Sequence, residues 1–310
     1  MATTGESEGV ERKRVVLITG CSAGGIGDAL AQAFHRTGKT RVFATARTMS
    51  KMAHFDGRGI ETLQLDVESD DSIRNCVKEL GAATGGVLDV LINNSGVGYN
   101  MPLADVDMKT AQSVFNLNVF AVLAVTNAFL PLLLKSAASS RDPVIVNQAS
   151  ISAATPVPFI GIYGASKAAL AHLTDTMRLE MSCFGINVVN LMTGMVATNF
   201  GHNVRGAEPE QGVSLPADSI FGPARAIVER CLAGGQFVDS ATPVDQYAEE
   251  IVAILQNKQR DPPARIWKGT SAFLVWFLRR FTPFTFPDRE MRKMGSLDEV
   301  TRLVKGVKAG

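Results

Sequence analysis

A doubly wound α/β domain, with a mostly parallel sheet covered by helices on both faces, is the fold class this sequence predicts. Three observations carry it. Short β-branched runs alternate with helical patterns from Val15 to Leu191, as βαβ units do. The runs are continuously apolar, which suits strands buried on both faces. A glycine-rich turn follows the first run directly. Right-handed crossovers between such units wind the sheet in both directions.

The elements follow in order. Val15 to Thr19 reads as a buried strand, and Asp28 to Arg36 as the helix after the glycine turn. Arg41 to Ala46 and Ile60 to Leu65 are the next strands, and Ser69 to Ala83 is a polar helix. Leu88 to Asn93 is a fourth strand. A long helix over Met108 to Lys135 leads to a fifth at Val144 to Gln148. Tyr163 to Cys183 is helical, Ile186 to Leu191 a sixth strand, and Ser240 to Lys258 an amphipathic helix. Arg265 to Lys268 supplies a seventh strand. No solenoid repeat or Gly/Ser linker divides the chain. The expected organisation is a polar, disordered lead-in over 1–12, a single domain over 13–270, and an aromatic and basic extension over 271–310.

Composition narrows the function. Of 310 residues, 46% are hydrophobic and 20% charged, which supports a sizeable core. A formal net charge of +1 provides no global field for nucleic acid. The four cysteines form no Cys-x-x-Cys pair, so neither a metal site nor a disulfide framework is expected. A reducing, cytoplasmic setting follows. Val119 to Leu134 is apolar enough to raise the question of a membrane span. Its Thr126, Asn127 and Pro131, and its place between two strands, favour a buried helix.

The run Thr19 to Gly27 lies between the first strand and the first helix. Glycines there allow a sharp turn and a close approach to a pyrophosphate, and the helix N-terminus offers free N–H groups. This is the Rossmann-type arrangement for a dinucleotide. The second strand ends Thr45-Ala46-Arg47. An acid at that position would accept the ribose hydroxyls of NAD. An arginine suits the 2′-phosphate of NADPH.

Tyr163 and Lys167 stand at i and i+4 on one helix. A cation beside a phenol favours phenolate, which predicts a tyrosine lowered toward neutral pH for acid–base work. Ser150 ends the fifth strand at the sheet edge that lines a ligand crevice, where its hydroxyl can bond a carbonyl; Ser152 is its rival. Asn118 is an amide in an otherwise apolar helix, and needs partners.

Taken together, Thr19-Gly20 to Gly27, Asp66-Val67, Asn93-Asn94-Ser95-Gly96, Asn118, Ser150, Tyr163-x-x-x-Lys167 and Thr193-Gly194-Met195-Val196-Ala197-Thr198 resemble the short-chain dehydrogenase/reductase family over about residues 12–270. The resemblance implies reduction of a ketone by NADPH, with Tyr163 as proton donor, Ser150 polarising the carbonyl and Lys167 lowering the phenol and gripping the nicotinamide ribose. Asn118 would anchor a water linking Lys167 to solvent. Gly20, Gly25, Ile26 and Gly27 would pack the dinucleotide, Asp66 the adenine, and Asn93 the adenosine side. Val196 and Thr198 would contact the carboxamide and pyrophosphate. Within the family, TGCSAGGIG, FATAR, IETLQLDV and PFIGIYGASKAAL look closest to fungal 1-acyldihydroxyacetone-phosphate reductases, the hydroxysteroid-dehydrogenase-like group and secondary-metabolism ketoreductases. This chain departs in having four residues between Gly20 and Gly25 instead of three, Ser95 for an alanine, and Thr193 for a proline.

The expected substrate is therefore a hydrophobic or lipid-like ketone. The competing readings are a polyketide or terpenoid ketoreductase, a non-catalytic dinucleotide-binding regulator, and a lyase or epimerase on the same scaffold. A homo-oligomer is compatible with all of them. The segment 200–219 is expected to be a loop over the pocket. The extension SAFLVWFLRRFTPFTFPDREMRK has two readings. It caps the pocket or packs at a subunit contact, as buried amphipathic stripes do. Alternatively 271–286 lies on a membrane surface, where aromatics and cations both fit, with peripheral attachment to endoplasmic reticulum or lipid droplets.

Overall fold

The computed structural model describes residues 12–202, 204, 213–233, 241–257, 259 and 261–306. The lead-in over 1–11 and most of 203–212 lie outside the described residues, so the loop expected over 200–219 is only partly described.

The chain runs β1 (Arg14–Thr19), α1 (Ile26–Arg36), β2 (Thr40–Ala46), β3 (Glu61–Gln64), α2 (Asp70–Thr84), β4 (Val90–Asn93), α3 (Met108–Phe115) and α4 (Ala121–Ala138). It continues through β5 (Val144–Gln148), α5 (Gly161–Ser182), β6 (Asn187–Thr193), the short β7 (Val196–Ala197) and α6 (Arg225–Leu232). Last come β8 (Thr242–Pro243), α7 (Val244–Leu255), β9 (Arg265–Lys268), α8 (Ala272–Phe281), α9 (Asp288–Met294) and α10 (Leu297–Gly306).

Seven strands form one parallel sheet in the order β3-β2-β1-β4-β5-β6-β9. The chain turns back at β1, so the next strand after β3 is β4 on the other side of β1. That reversal opens a crevice at the carboxyl ends of β1 and β4, where such sheets bind ligands. Alternate strand residues face opposite layers. Val16, Ile18, Val42 and Ala44 pack with α1 and α7 on one face, whereas Leu17, Leu91, Ile145 and Phe43 pack with α2 and α4 on the other. This two-sided burial is why the strands read as unbroken apolar runs.

Two elements differ from the sequence expectation. The helix expected over Met108 to Lys135 contains a π-helical turn at Asn116–Phe120, which joins α3 to α4. Such insertions concentrate at functional sites, and this one holds Asn118. The helix is long and apolar enough to cross a bilayer, but Val125, Phe129, Leu132 and Leu133 are buried on the sheet. The extension differs more. No residue lining the main cleft comes from 271–286, so α8 does not cap the pocket. Its large side chains face outward: Phe273, Phe277 and Phe281 are all exposed.

Candidate active site

The crevice is a cleft of about 680 Å³, walled by the carboxyl ends of β1, β2, β4, β5 and β6 and by the start of α5. Its floor is the glycine turn. Gly20 has φ +75°, a left-handed backbone that only glycine adopts without strain. A Cβ on Gly27 would stand 2.6 Å from the Gly20 carbonyl oxygen and 2.6 Å from Asn94 Nδ2, so α1 starts tight against the turn. Gly24 is the second glycine of this loop in the left-handed region. It takes φ +75° and donates its N–H to Asp28 Oδ2 at 2.8 Å. No side chain caps α1, which leaves first-turn N–H groups beside the cleft lined by Gly25 and Ile26. Uncapped donors, a positive dipole end and a glycine cradle are what a pyrophosphate requires, so these residues fit a dinucleotide. Arg47 follows β2 directly and lines the cleft with Thr48 and Lys51. Asp66, Val196 and Thr198 line it as well.

Asn93 does not. Its side chain is buried and donates 2.9 Å bonds to Thr126 Oγ1 and Asn147 Oδ1, which ties β4 to α4 and β5. The cleft wall is instead built by Asn94 and Ser95. Their backbone N–H groups both donate to Thr19 Oγ1, at 2.9 and 3.0 Å. The Asn94 side chain donates to the carbonyls of Thr19 and Gly20, clamping the glycine turn.

On the opposite wall, Ser150, Tyr163 and Lys167 meet as their spacing predicts. Lys167 Nζ is buried and donates to the Gln148 carbonyl at 2.8 Å, and lies 5.9 Å from the centre of the Tyr163 ring. Burial drives Lys167 down to about 8. The phenol does not follow the expectation of a lowered tyrosine. Burial raises Tyr163, and the Ser150 and Ser152 hydroxyls pull only partly the other way. The reason is desolvation. Removing the phenol from water outweighs the two hydroxyls that favour phenolate. Ser152 stands near enough to favour phenolate, yet its buried hydroxyl makes no well-aligned hydrogen bond. Ser150 Oγ accepts the Ser152 N–H at 3.2 Å.

Asn118 lies behind this wall with its amide satisfied. Nδ2 donates to the Val97 carbonyl at 2.9 Å and to Ser166 Oγ at 3.1 Å, and Oδ1 accepts the Val97 N–H at 2.9 Å. It therefore staples the segment after β4 to α5. A Cβ on Gly96 would meet Asn118 Oδ1 at 3.2 Å and Lys167 Nζ at 3.3 Å, so glycine keeps open the space between them.

Comparison with known proteins gives the family. The family model for short chain dehydrogenase matches residues 14–209. This chain is a short-chain dehydrogenase/reductase. It is 42% identical over 296 residues to a short-chain dehydrogenase/reductase of Pestalotiopsis microspora, covering 96% of this chain and 99% of that one. It is 35% identical over 268 residues to the NADPH-dependent 1-acyldihydroxyacetone phosphate reductase of Schizosaccharomyces pombe, covering 84% and 87%. A Streptomyces avermitilis short-chain dehydrogenase structure shares the fold, with a TM-score of 0.70, 24% identity and coverage of 94% and 98%. As a member of the family, this short-chain dehydrogenase is an oxidoreductase acting on a small molecule.

Three features of this short-chain dehydrogenase escape sequence reading. Asp28 accepts from Gln32 and Gly24 and bonds His54 Nε2 at 2.9 Å, which joins the glycine turn to the segment after β2. Asn94 carries no periodicity that would separate it from Asn93. The third explains Thr193, which stands where the family has proline. Gln148 Nε2 donates to Thr193 Oγ1 at 2.6 Å, and Thr193 Oγ1 shares a 2.5 Å bond with the hydroxyl of fully buried Tyr247. Side-chain bonds from β5 and α7 thus hold the end of β6, which a proline ring would otherwise stiffen. Tyr247→Phe should cost about 1–2 kcal/mol of stability by removing one buried partner of Thr193. Urea denaturation reads that loss, and an unchanged midpoint would remove the hydroxyl from this account.

Proposed function

We propose that this short-chain dehydrogenase reduces a hydrophobic or lipid-like ketone to a secondary alcohol, with NADPH as the electron donor. The observation that carries the reading is the convergence of Ser150, Tyr163 and Lys167 on one wall of a cleft whose floor is the glycine turn. When bound, the dinucleotide supplies the hydride. The protein supplies the proton and the geometry.

Tyr163 is the proton donor at its phenol oxygen. A phenol raised by burial stays protonated near neutral pH, which is the state a reduction needs. Ser150 Oγ holds the ketone oxygen. Lys167, held on the Gln148 carbonyl, provides the ammonium that replaces the proton given up by Tyr163. The space beside Gly96, bordered by Asn118 Oδ1 and Lys167 Nζ, suits a water that would link this lysine to solvent. Gly20, Gly25 and Ile26 would hold the pyrophosphate, with Gly27 packing α1 against the turn behind them, Asp66 would contact the adenine, and Val196 and Thr198 the nicotinamide carboxamide and pyrophosphate. An apolar substrate is supported by Phe200, whose ring lies 5.9 Å from that of Tyr163, and by Leu117, Val97 and Val204 in the cleft lining. NADPH is supported by Arg47 and by the name of the Schizosaccharomyces relative.

The direct test is loss of NADPH absorbance with a panel of acyl-dihydroxyacetone phosphate, steroid and polyketide ketones. Normal NADPH binding without turnover on any of them would favour the regulator reading. Product formation without NADPH consumption would favour a lyase or epimerase. For cofactor choice, Arg47→Asp should shift the NADPH:NADH ratio of kcat/KM toward NADH by roughly 10- to 100-fold, the worth of charge-assisted bonds to a 2′-phosphate. An unchanged ratio would move that role to Lys51 or Thr48.

A further inference from the structure

The extension carries an apolar surface that no part of the described fold covers. On α8, Phe273 is 70% exposed, Phe281 62%, and beyond it Phe284 and Phe286 62% each. The rings of Phe273, Trp276, Phe277 and Phe281 contact one another, with centroids 5.0 to 6.5 Å apart, so they form one continuous patch. The opposite face of α8, with Ala272 buried and Val275 and Leu278 half-buried, anchors the helix. An exposed patch of this kind on a folded domain marks an interaction surface.

The charges around the patch select its partner. From residue 271 to 287 there are two arginines and no acidic residue. Arg279 lies 4.4 Å over the Phe284 ring, and neither it nor Arg280 makes an ion pair among the described residues. Both also line a second cavity of about 640 Å³, set between α8, α5 and β9, together with Arg265, His172, Trp267 and Trp276. Its floor is alanine (Ala153, Ala154, Ala168 and Ala171). Arg265 is neutralised by Asp175, which leaves Arg279 and Arg280 as the free cations at the rim. Aromatic rings with arginine also suit a contact with a second copy, but the run 271–287 carries no carboxylate to answer its own arginines across a two-fold axis. Aromatic rings interleaved with unpaired guanidinium groups, above a basic cavity, match the layered chemistry of an anionic bilayer: acyl chain below, phosphate above.

We infer that α8 and the 282–286 segment dock this protein peripherally on a bilayer bearing anionic phospholipid, with the rings in the headgroup–acyl boundary and Arg279 and Arg280 on lipid phosphate. The start of α8 is tied to the cleft. Met195 and Thr270 exchange backbone hydrogen bonds at 3.0 and 3.1 Å, directly after β6. Docking would therefore act on a helix joined by these bonds to the segment after β6, whose Gly194 and Val196 line the cleft. The inference concerns a surface whose cavity shares no lining residue with the cleft, and it stands whether or not the substrate is a lipid.

The test is flotation of the full chain with phosphatidylcholine vesicles, with and without phosphatidylserine. The wild type should partition onto phosphatidylserine vesicles and much less onto phosphatidylcholine alone. Phe277→Ser with Phe281→Ser should weaken partition by roughly tenfold or more, since each ring loses most of a side-chain transfer energy. Arg279→Glu with Arg280→Glu should abolish the dependence on phosphatidylserine, at about fivefold per charge. Because these side chains are exposed, both double variants should keep the melting temperature of the wild type and its NADPH oxidation with a water-soluble ketone. No partition on either vesicle, or equal partition on both, would overturn the inference. So would a wild-type oligomer that falls to monomer in the phenylalanine variant, because the patch would then belong to a second copy of the chain.

Discussion

Tyr163→Phe is expected to bind NADPH as tightly as the wild type and to lose about 10²- to 10⁴-fold in turnover. The argument is local. The ring stays, so its contact with Phe200 and the packing of the first turn of α5 stay with it. Only the hydroxyl leaves, and with it the proton for the ketone oxygen. Ser150 cannot replace it, because a serine hydroxyl is a far weaker acid and gives a proton to an oxyanion only if it is resupplied. Single-turnover measurement separates the outcomes. A large fall in rate at unchanged NADPH affinity supports the assignment. Activity near the wild-type value would remove Tyr163 from the role of proton donor.

Lys167→Met should do two opposite things. Activity should fall to near background, because the ammonium that resupplies Tyr163 is gone. Stability of the cofactor-free protein should rise. The sign follows from burial. Lys167 titrates in the fold at about 8, below its ordinary range, so the folded state resists the charged form. Between that value and the unfolded lysine pKa, the unfolded chain holds the additional proton, and stability rises with pH. Below about 8 the whole penalty is present, and methionine, with similar length and no charge, removes it. The gain at neutral pH is expected to be roughly 1–3 kcal/mol, reduced by loss of the bond to the Gln148 carbonyl. It should vanish at strongly alkaline pH. Urea denaturation across pH reads it, and a variant less stable than wild type at neutral pH would show that the hydrogen bond outweighs desolvation. The same titration predicts a wild-type reduction rate that declines as pH rises through about 8.

Much of this molecule is written locally. The alternation of apolar runs and helical stripes predicts the sheet, because a strand buried on both faces must be apolar throughout. Tyr163 and Lys167 were legible as a pair because helix geometry alone puts i and i+4 on one face. Arg47 was legible as a cleft residue because it directly follows β2 at the carboxyl edge of the sheet. Asn93 and Asn94 show where that reading stops. Both are small polar amides at the end of β4, and only the neighbours decide which one turns inward. Thr126 and Asn147 claim Asn93, and the glycine turn claims Asn94.

The sequence by itself determined the order of elements, the glycine turn at the first strand, and the pairing of Tyr163 with Lys167 on one helix face, since all three depend on interactions within a few residues. Tertiary structure alone decided the rest. It set the protonation of Tyr163 and Lys167, because desolvation depends on every element that closes over a group. It joined Gln148, Thr193 and Tyr247, residues with no shared local pattern. It also left the aromatic face of α8 in solvent, because an amphipathic stripe specifies that a helix has an apolar side and does not specify what will cover it.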